Sequence, residues 1–338
     1  MYQLSKYLTL LIFLCQTTPI VLAQESFRVM FYNVENLFDT KDDSLKNDNE
    51  FLPDAMRRWI YYRYRDKVNS IAKVIIASGN EYVPDLVGLC EVENDTCLRD
   101  LVRYSPLREA DYRYVMTNSP DERGIDVALL YQRSTFKIIE KESIHVPVEI
   151  LKKTPTRDIL HVAGKVLSGD TLDVLVCHFP SRSGGAKKTE PYRLLASQIV
   201  QKTIDSLVQV RESPYFIVMG DFNDGPQSRS LSNLTKTGLH NLLKNKPMGT
   251  YRYRGNWEII DQILVSANIL DSMSRIHTSE DKAMIIRYPY LLEEDDKYGG
   301  DKPYRTYNGI KYHGGYSDHL PICVDLDIIR DDKDYYSR

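Results

Sequence analysis

The sequence predicts one large domain of the mixed α/β class. Three observations point there. Short apolar runs of strand length recur along the chain, and stretches of helical periodicity lie between them. The 338 residues exceed the ~100–200 of a usual domain, yet no Pro/Gly/Ser-rich linker, repeat or low-complexity segment divides them. Finally, one apolar run after another ends on a polar side chain, as though a single rim of a sheet assembly carried the chemistry.

Met1–Ala23 reads as a secretory signal peptide: one charge at Lys6, an apolar run Tyr7–Leu14, and Val21-Leu22-Ala23 as a small-residue cleavage site before Gln24. The polar break Gln16-Thr17-Thr18 disfavours a membrane helix. Cys15 as a lipid anchor is disfavoured by the bulky Leu14 before it. The expectation is an exported protein, periplasmic or extracellular, with residues 24–338 as its single domain. No later stretch reaches the ~18 apolar residues of a membrane span. Without the leader the net charge moves from −3 to −4, because the leader holds one lysine and no acid. That balance gives no global basic field for nucleic acid. Cys90, Cys97, Cys177 and Cys323 fit no zinc spacing and are expected as free thiols, three of them in apolar runs.

In chain order, Phe27–Asn33 alternates and reads as the first strand, with Asn33 at its end. Asp39–Asp54 is acidic and rich in Asn; a solvated loop is expected, with calcium binding as the alternative. A helix is expected from Asp54, carrying Trp59, Val68, Ile71 and Ile75 on one face and ending at Gly79. Asp85–Glu91 is a strand ending in a carboxylate. Arg123–Tyr131 is a strand opened by a charged turn, and Thr171–His178 one that ends in a histidine. Thr189 is expected to cap the next helix, with Pro191 in its first turn. Tyr215–Met219 is a buried strand running into Gly220-Asp221-Phe222-Asn223. Asp221 and Asn223, two apart on an extended backbone, point the same way and offer hard oxygen ligands with an N–H donor. Trp257–Val265 reads as a strand with Asp261 in its middle, a charge that needs a partner. Asp318-His319 precede the last strand, Ile322–Leu326.

A lone Asn or Glu at a strand end is usually just solvated. Asn33, Glu91, His178, Asp221 with Asn223, and Asp318-His319 together are not so easily dismissed. The inventory is carboxylates, amides and two histidines. It lacks a nucleophile elbow and a phosphate-binding glycine loop. What remains is a hard cation with acid–base histidines acting on an oxyanion.

The chain resembles the endonuclease/exonuclease/phosphatase superfamily, which includes deoxyribonuclease I-like nucleases, apurinic-site endonucleases, inositol polyphosphate phosphatases and sphingomyelinases. The resemblance rests on Tyr32-Asn33-Val34, Cys90-Glu91, Cys177-His178-Phe179, Gly220–Asn223, Ile260–Ile263 and Ser317-Asp318-His319 with Pro321, in the family's order. It implies a four-layer α/β/β/α sandwich of two sheets with helices outside and a divalent-metal site at one end. It also implies roles. Glu91 and Asn33 would hold Mg²⁺ or Mn²⁺, with Asp318 as a further ligand. His319 would pair with Asp261. Asp221 and Asn223 would position water and phosphate. His178 would bind a phosphoryl oxygen or protonate the leaving group. Arg123 stands where a phosphate-contacting arginine does in the deoxyribonuclease I branch. Arg182, from its place after His178, is a second phosphate candidate. For both arginines a loop ion pair is the plainer reading.

The family does not choose a substrate. Ile260-Asp261-Gln262 and Asp224-Gly225 depart from the inositol phosphatase signature. Tyr288–Leu292, a candidate membrane-touching hairpin, is followed by Glu293–Asp296, which anionic lipid would repel. Lys187-Lys188 and the alternation Tyr251–Arg254 favour a phosphodiesterase acting on DNA or RNA, against an ordinary amphipathic strand. A phosphatase for small-molecule or lipid head-group esters is the alternative, and an exported binding protein without turnover a third. A monomer is expected. Lys282–Gly315 is expected to overhang the site.

Overall fold

The computed structural model describes residues 24–79 and 81–330; the expected signal peptide, with Cys15, lies outside them. Two sheets face each other. The first has the strand order β13-β19-β1-β2-β4-β3, with β14 also on β19. Its members are β1 (Gln24–Leu37), β2 (Leu86–Val92), β3 (Arg113–Met116), β4 (Asp126–Tyr131), β13 (Ile276–His277), β14 (Ala283–Ile285) and β19 (Ile322–Ile329). The second runs β5-β6-β7-β8-β12-β9: β5 (Lys137–Ile144), β6 (Ile159–Lys165), β7 (Thr171–His178), β8 (Tyr215–Asp221), β9 (Leu239–Asn241) and β12 (Asp261–Ser266).

Strand alternation sets the layers. On β1, Phe27, Val29 and Phe31 face Val174, Val176, Ile217 and Ile263 of the second sheet. Met30, Tyr32 and Val34 face outward onto helices α1 (Tyr61–Ala77) and α2 (Asp95–Arg103). On the far side, Leu175, Cys177, Phe216 and Val218 pack under α3 (Ala186–Val208) and α4 (Arg229–Thr235). The result is the expected α/β/β/α sandwich. Cys90, Cys97, Cys177 and Cys323 are all buried free thiols.

Four expectations need correction. The first helix begins at Tyr61, not Asp54, because Arg58 is left-handed (φ 47°) and breaks any helix through it. Trp59 is instead anchored in front of the helix by its indole N–H, 2.9 Å from the Phe38 carbonyl. The third helix begins one turn earlier than Thr189, at Ala186. Thr189 donates its hydroxyl back to the Gly185 carbonyl (3.0 Å) and accepts from the buried Arg193 (2.7 Å). That guanidinium also holds the Ala186 carbonyl (2.8 Å) and Asp224 (2.8 Å), so the extra turn is pinned from inside.

The run Trp257–Val265 is two strands. A hairpin of β10 (Tyr251–Tyr253) and β11 (Asn256–Glu258) ends before Ile259, and Asp261 opens β12 rather than interrupting it. Lastly, no residue of Lys282–Gly315 lines the cleft; Arg305 reaches its edge through Asp318 (3.0 Å). Ala283–Ile285 is a strand of the first sheet, and the part after it packs on that sheet's outer face: Leu291 is buried, Tyr288 donates to the Ala77 carbonyl (2.6 Å), and Tyr307 lies 5.9 Å from the Trp59 ring. Tyr288–Leu292 is thus a core contact and not a membrane hairpin.

Candidate active site

Strand register brings three residues to one line. His178 ends β7, Asp221 ends β8 and Asp261 starts β12, with His178 paired to Asp221 and Asp221 to Asp261. From the facing sheet, Asn33 on β1 is paired with Cys90 on β2, next to Glu91, at irregularities in both ladders. Asp318-His319 arrive just ahead of β19. Glu91, His178, Asp221, Asn223, Asp318 and His319 line one cavity of about 620 Å³, as do Arg123 and Arg182. Asn33 and Asp261 sit behind it, buried.

The bonding is dense. His319 Nδ1 is 2.8 Å from Asp261 Oδ2. Its Nε2 faces Asp221 Oδ2 (3.8 Å) and the Asn33 amide (3.5 Å). Asn33 Nδ2 donates to Asp221 Oδ2 (3.1 Å), while its carbonyl accepts from the Glu35 backbone N–H (2.9 Å). Asp221 Oδ1 accepts the Asn223 N–H (2.8 Å). His178 Nε2 lies between Glu91 Oε1 (4.0 Å) and Asp221 Oδ2 (3.8 Å). Glu91 Oε2 accepts the Asn36 N–H (2.9 Å). Glu35, Asn36, Glu91 and Asn223 all have φ between 50° and 63°. Such left-handed backbone is costly for these residues, and it gathers here at the cleft.

Protonation follows from these neighbours. Burial alone would hold the His319 imidazole low; the Asp261 and Asp221 carboxylates outweigh it and hold it well above its ordinary value. Burial pushes the Asp221 carboxyl up, against the opposing pull of His319 and with the help of Asp261. Burial pushes His178 down, and Arg157, Arg123 and His319 push the same way, so it is neutral. Burial would raise Asp318, but Arg305, His319 and Lys67 hold it below the usual range.

The sequence reading passed over four contributors. Arg157 donates to the Phe179 carbonyl (2.8 Å) and pairs with Asp121 (3.2 Å). Glu35 accepts from Arg305 (3.1 Å) and from the Thr306 N–H (2.7 Å). Arg305 also bonds Asp318 (3.0 Å). Lys67, fully buried, donates to Thr306 and to the Tyr316 carbonyl (2.5 and 2.6 Å). Only Lys67 left a trace in the sequence, as a lysine within the apolar stripe of α1. The Tyr251 ring lies 4.9 Å from that of His319. Arg252 is turned away, bonded to the Gly299 carbonyl (2.5 Å) and paired with Asp295 (3.6 Å), so the alternating Tyr/Arg run does not act as one surface.

A family model described as the Endonuclease/Exonuclease/phosphatase family matches residues 28–328. The chain belongs to that family. Members of the endonuclease/exonuclease/phosphatase family are phosphoester hydrolases, generally dependent on a divalent metal. Solved structures share the fold. One is a family protein from Bacteroides thetaiotaomicron (TM-score 0.58, 16% identity, 90% of this chain and 99% of that one). A second is a mannosyl-6-phosphatase of the same species (TM-score 0.56, 17% identity, 89% of this chain and 99% of that one). A third is D. rerio TDP2 complexed with single-strand DNA product (TM-score 0.56, 16%, 89% and 99%). No curated protein sequence matches the chain.

The donor set suits a hard cation: carboxylate and amide oxygens at one rim, with the cysteines buried as free thiols. Among the described residues, the group with metal-ligand geometry is Asp221, Asp261 and His319. Within that group His319 and Asp261 are already bonded to each other at 2.8 Å, while Glu91 and Asp318 are further carboxylates that line the cleft.

Proposed function

We propose that this chain is an exported, divalent-metal-dependent phosphodiesterase acting on nucleic acid. The observation that carries it is the continuous chain Asp261–His319–Asp221–Asn33, set against Glu91 in one cleft. A Mg²⁺ or Mn²⁺ ion held by Glu91, with Asn33 and Asp318 beside it, would supply positive charge to the phosphoryl oxygens. The protein does the rest. Asp221, its carboxyl raised by burial, takes the proton of the attacking water, and Asn223 orients that water against the phosphate. His319, held cationic by Asp261, faces the same phosphate and stabilises charge as it builds. Neutral His178 offers an N–H to a phosphoryl oxygen. Arg123, whose guanidinium is bonded to Asn36 and lies 3.9 Å from Glu91, adds charge at the mouth.

Tyr253, half-exposed in the cleft with the Arg254 guanidinium 5.1 Å over its ring, supports a base-stacking wall. The locked Arg252 favours a second reading, a phosphatase for small esters. Hydrolysis of bis-p-nitrophenyl phosphate against p-nitrophenyl phosphate, with Mg²⁺, Mn²⁺ or EDTA, decides between them. Faster turnover of the diester, abolished by EDTA, is expected. Glu91→Gln should keep the fold and weaken Mn²⁺ binding at least tenfold by calorimetry (about 1.4 kcal/mol); unchanged affinity would remove Glu91 from the metal site.

A further inference from the structure

In the second sheet β8 lies between β7 and β12. Arg182 follows His178 out of β7, and Glu258 precedes Asp261 into β12. Their side chains meet, Arg182 Nη1 to Glu258 Oε2 at 2.6 Å. Neighbouring strands are about 4.8 Å apart, so this pair closes a gap of roughly 10 Å across the exit of β8. Both residues line the cavity that holds His178 and Asn223. Their side chains are 27% and 31% exposed, at the rim and not the floor.

The other two cleft arginines are differently engaged. Arg157 is buried and fixed on Asp121 and Phe179, and Arg123 is bonded to Asn36. Each of the three has a carboxylate near it, Asp121 for Arg157 and Glu91 for Arg123, but Arg182 is held at the rim by its contact with Glu258, in a cleft whose proposed substrate is anionic. An unneutralised Glu258 there would repel a phosphate ester. A partly exposed ion pair is weak, whereas a phosphate accepts two parallel N–H bonds from a guanidinium. The loop carrying Arg182 can adjust: Gly184 and Gly185 have φ of 83° and 118°, and nothing lies within 4 Å of a side chain built at Gly184.

We propose that Arg182 and Glu258 form an exchangeable subsite for a second phosphate of the substrate, beyond the scissile one. Glu258 holds Arg182 in the free protein and yields it to that phosphate. The pair therefore selects esters that carry another phosphate over those that do not. This rests on the phosphoesterase reading above.

Hexathymidylate carries further phosphates; bis-p-nitrophenyl phosphate carries none. Arg182→Ala should raise KM for hexathymidylate at least fivefold more than for the small diester. Glu258→Gln should lower KM for hexathymidylate at least threefold, with kcat moving less. Equal shifts on both substrates, or none, would overturn the subsite. Anisotropy of fluorescein-labelled hexathymidylate in EDTA reads binding without turnover; the expected order of affinity is Glu258→Gln, parent, Arg182→Ala. If that order holds while nothing is hydrolysed with any divalent ion, the phosphoesterase reading falls and the subsite stands. If turnover is present and the order collapses, the subsite falls alone. Competition by fructose 1,6-bisphosphate separates the two sources of a second phosphate, a nucleotide chain and a phosphorylated sugar.

Discussion

Among the described residues, two buried histidine–aspartate pairs each have a 2.8 Å bond. One is His319–Asp261 in the cleft; the other is His161–Asp173 on the outer face of the second sheet. Bond length does not distinguish them. Satisfaction does. Asp173 accepts from His161 and twice more from Arg211, at 2.9 Å on each oxygen. Asp261 Oδ1 has no partner among the described residues, and His319 Nε2 faces Asn33 and Asp221 across the cleft. A saturated pair is a structural tie; an unsaturated one retains valences for a substrate.

The strongest way to break that comparison is to remove each histidine. His319→Ala should cost about 10²–10⁴-fold in kcat, the range for an acid–base group. His161→Ala should leave kcat per folded molecule within about twofold and cost about 1–3 kcal/mol of stability, the penalty of an unmade buried bond. Steady-state kinetics and urea melts of both variants decide it; a rate loss in His161→Ala comparable to that in His319→Ala would dissolve the distinction.

The carboxylates come next. Asp261→Asn should lose about 10–10²-fold in rate by disturbing the orientation and charge of its imidazole, as partners of functional histidines do. Asp173→Asn should keep the rate and lower the melting temperature. Parental turnover in Asp261→Asn would make Asp261 a structural residue like Asp173.

The smallest effect sharpens the comparison by pH. Burial would raise Asp173, but its bonds from His161 and Arg211 hold it below the usual carboxylate value. Its folded pKa is therefore below its unfolded one. The associated stability is present above about pH 4 and is lost as pH falls through the folded pKa. Thermal melts from pH 5 to 2.5 should show a shallower acid limb in Asp173→Asn than in the parent. Parallel limbs would count against the tie.

The candidate face was legible because most of its residues stand at or close to a strand end, where a polar side chain stands out against an apolar run; Asn33, expected at such an end, lies four residues inside β1. Asp221, His178 and His319 all announce themselves in this way. Glu35 and Arg305 do not, and Lys67 shows only as a lysine within an apolar helix stripe, with nothing to say what it bonds. Their bonds join β1, α1 and a loop near the C-terminus, and no local pattern encodes a contact across that separation. Thr189 misled for a related reason. Thr-x-Pro is a helix-start signature, but Arg193 and Asp224 supply a tertiary anchor that carries the helix one turn further. Asp261 looked like an interrupted strand because the break at Ile259-Ile260 is apolar, and only the hairpin register of β10 and β11 exposes it.

The buried free thiols turn the protein into its own folding probe. Cys90 and Cys177 immediately precede Glu91 and His178 on the two facing sheets, while Cys97 lies in α2 under the outer layer. A thiol reagent reaches none of them in the closed sandwich. The order in which they become labelled near the melting transition would report which layer lets go first, with no introduced dye and no substituted residue.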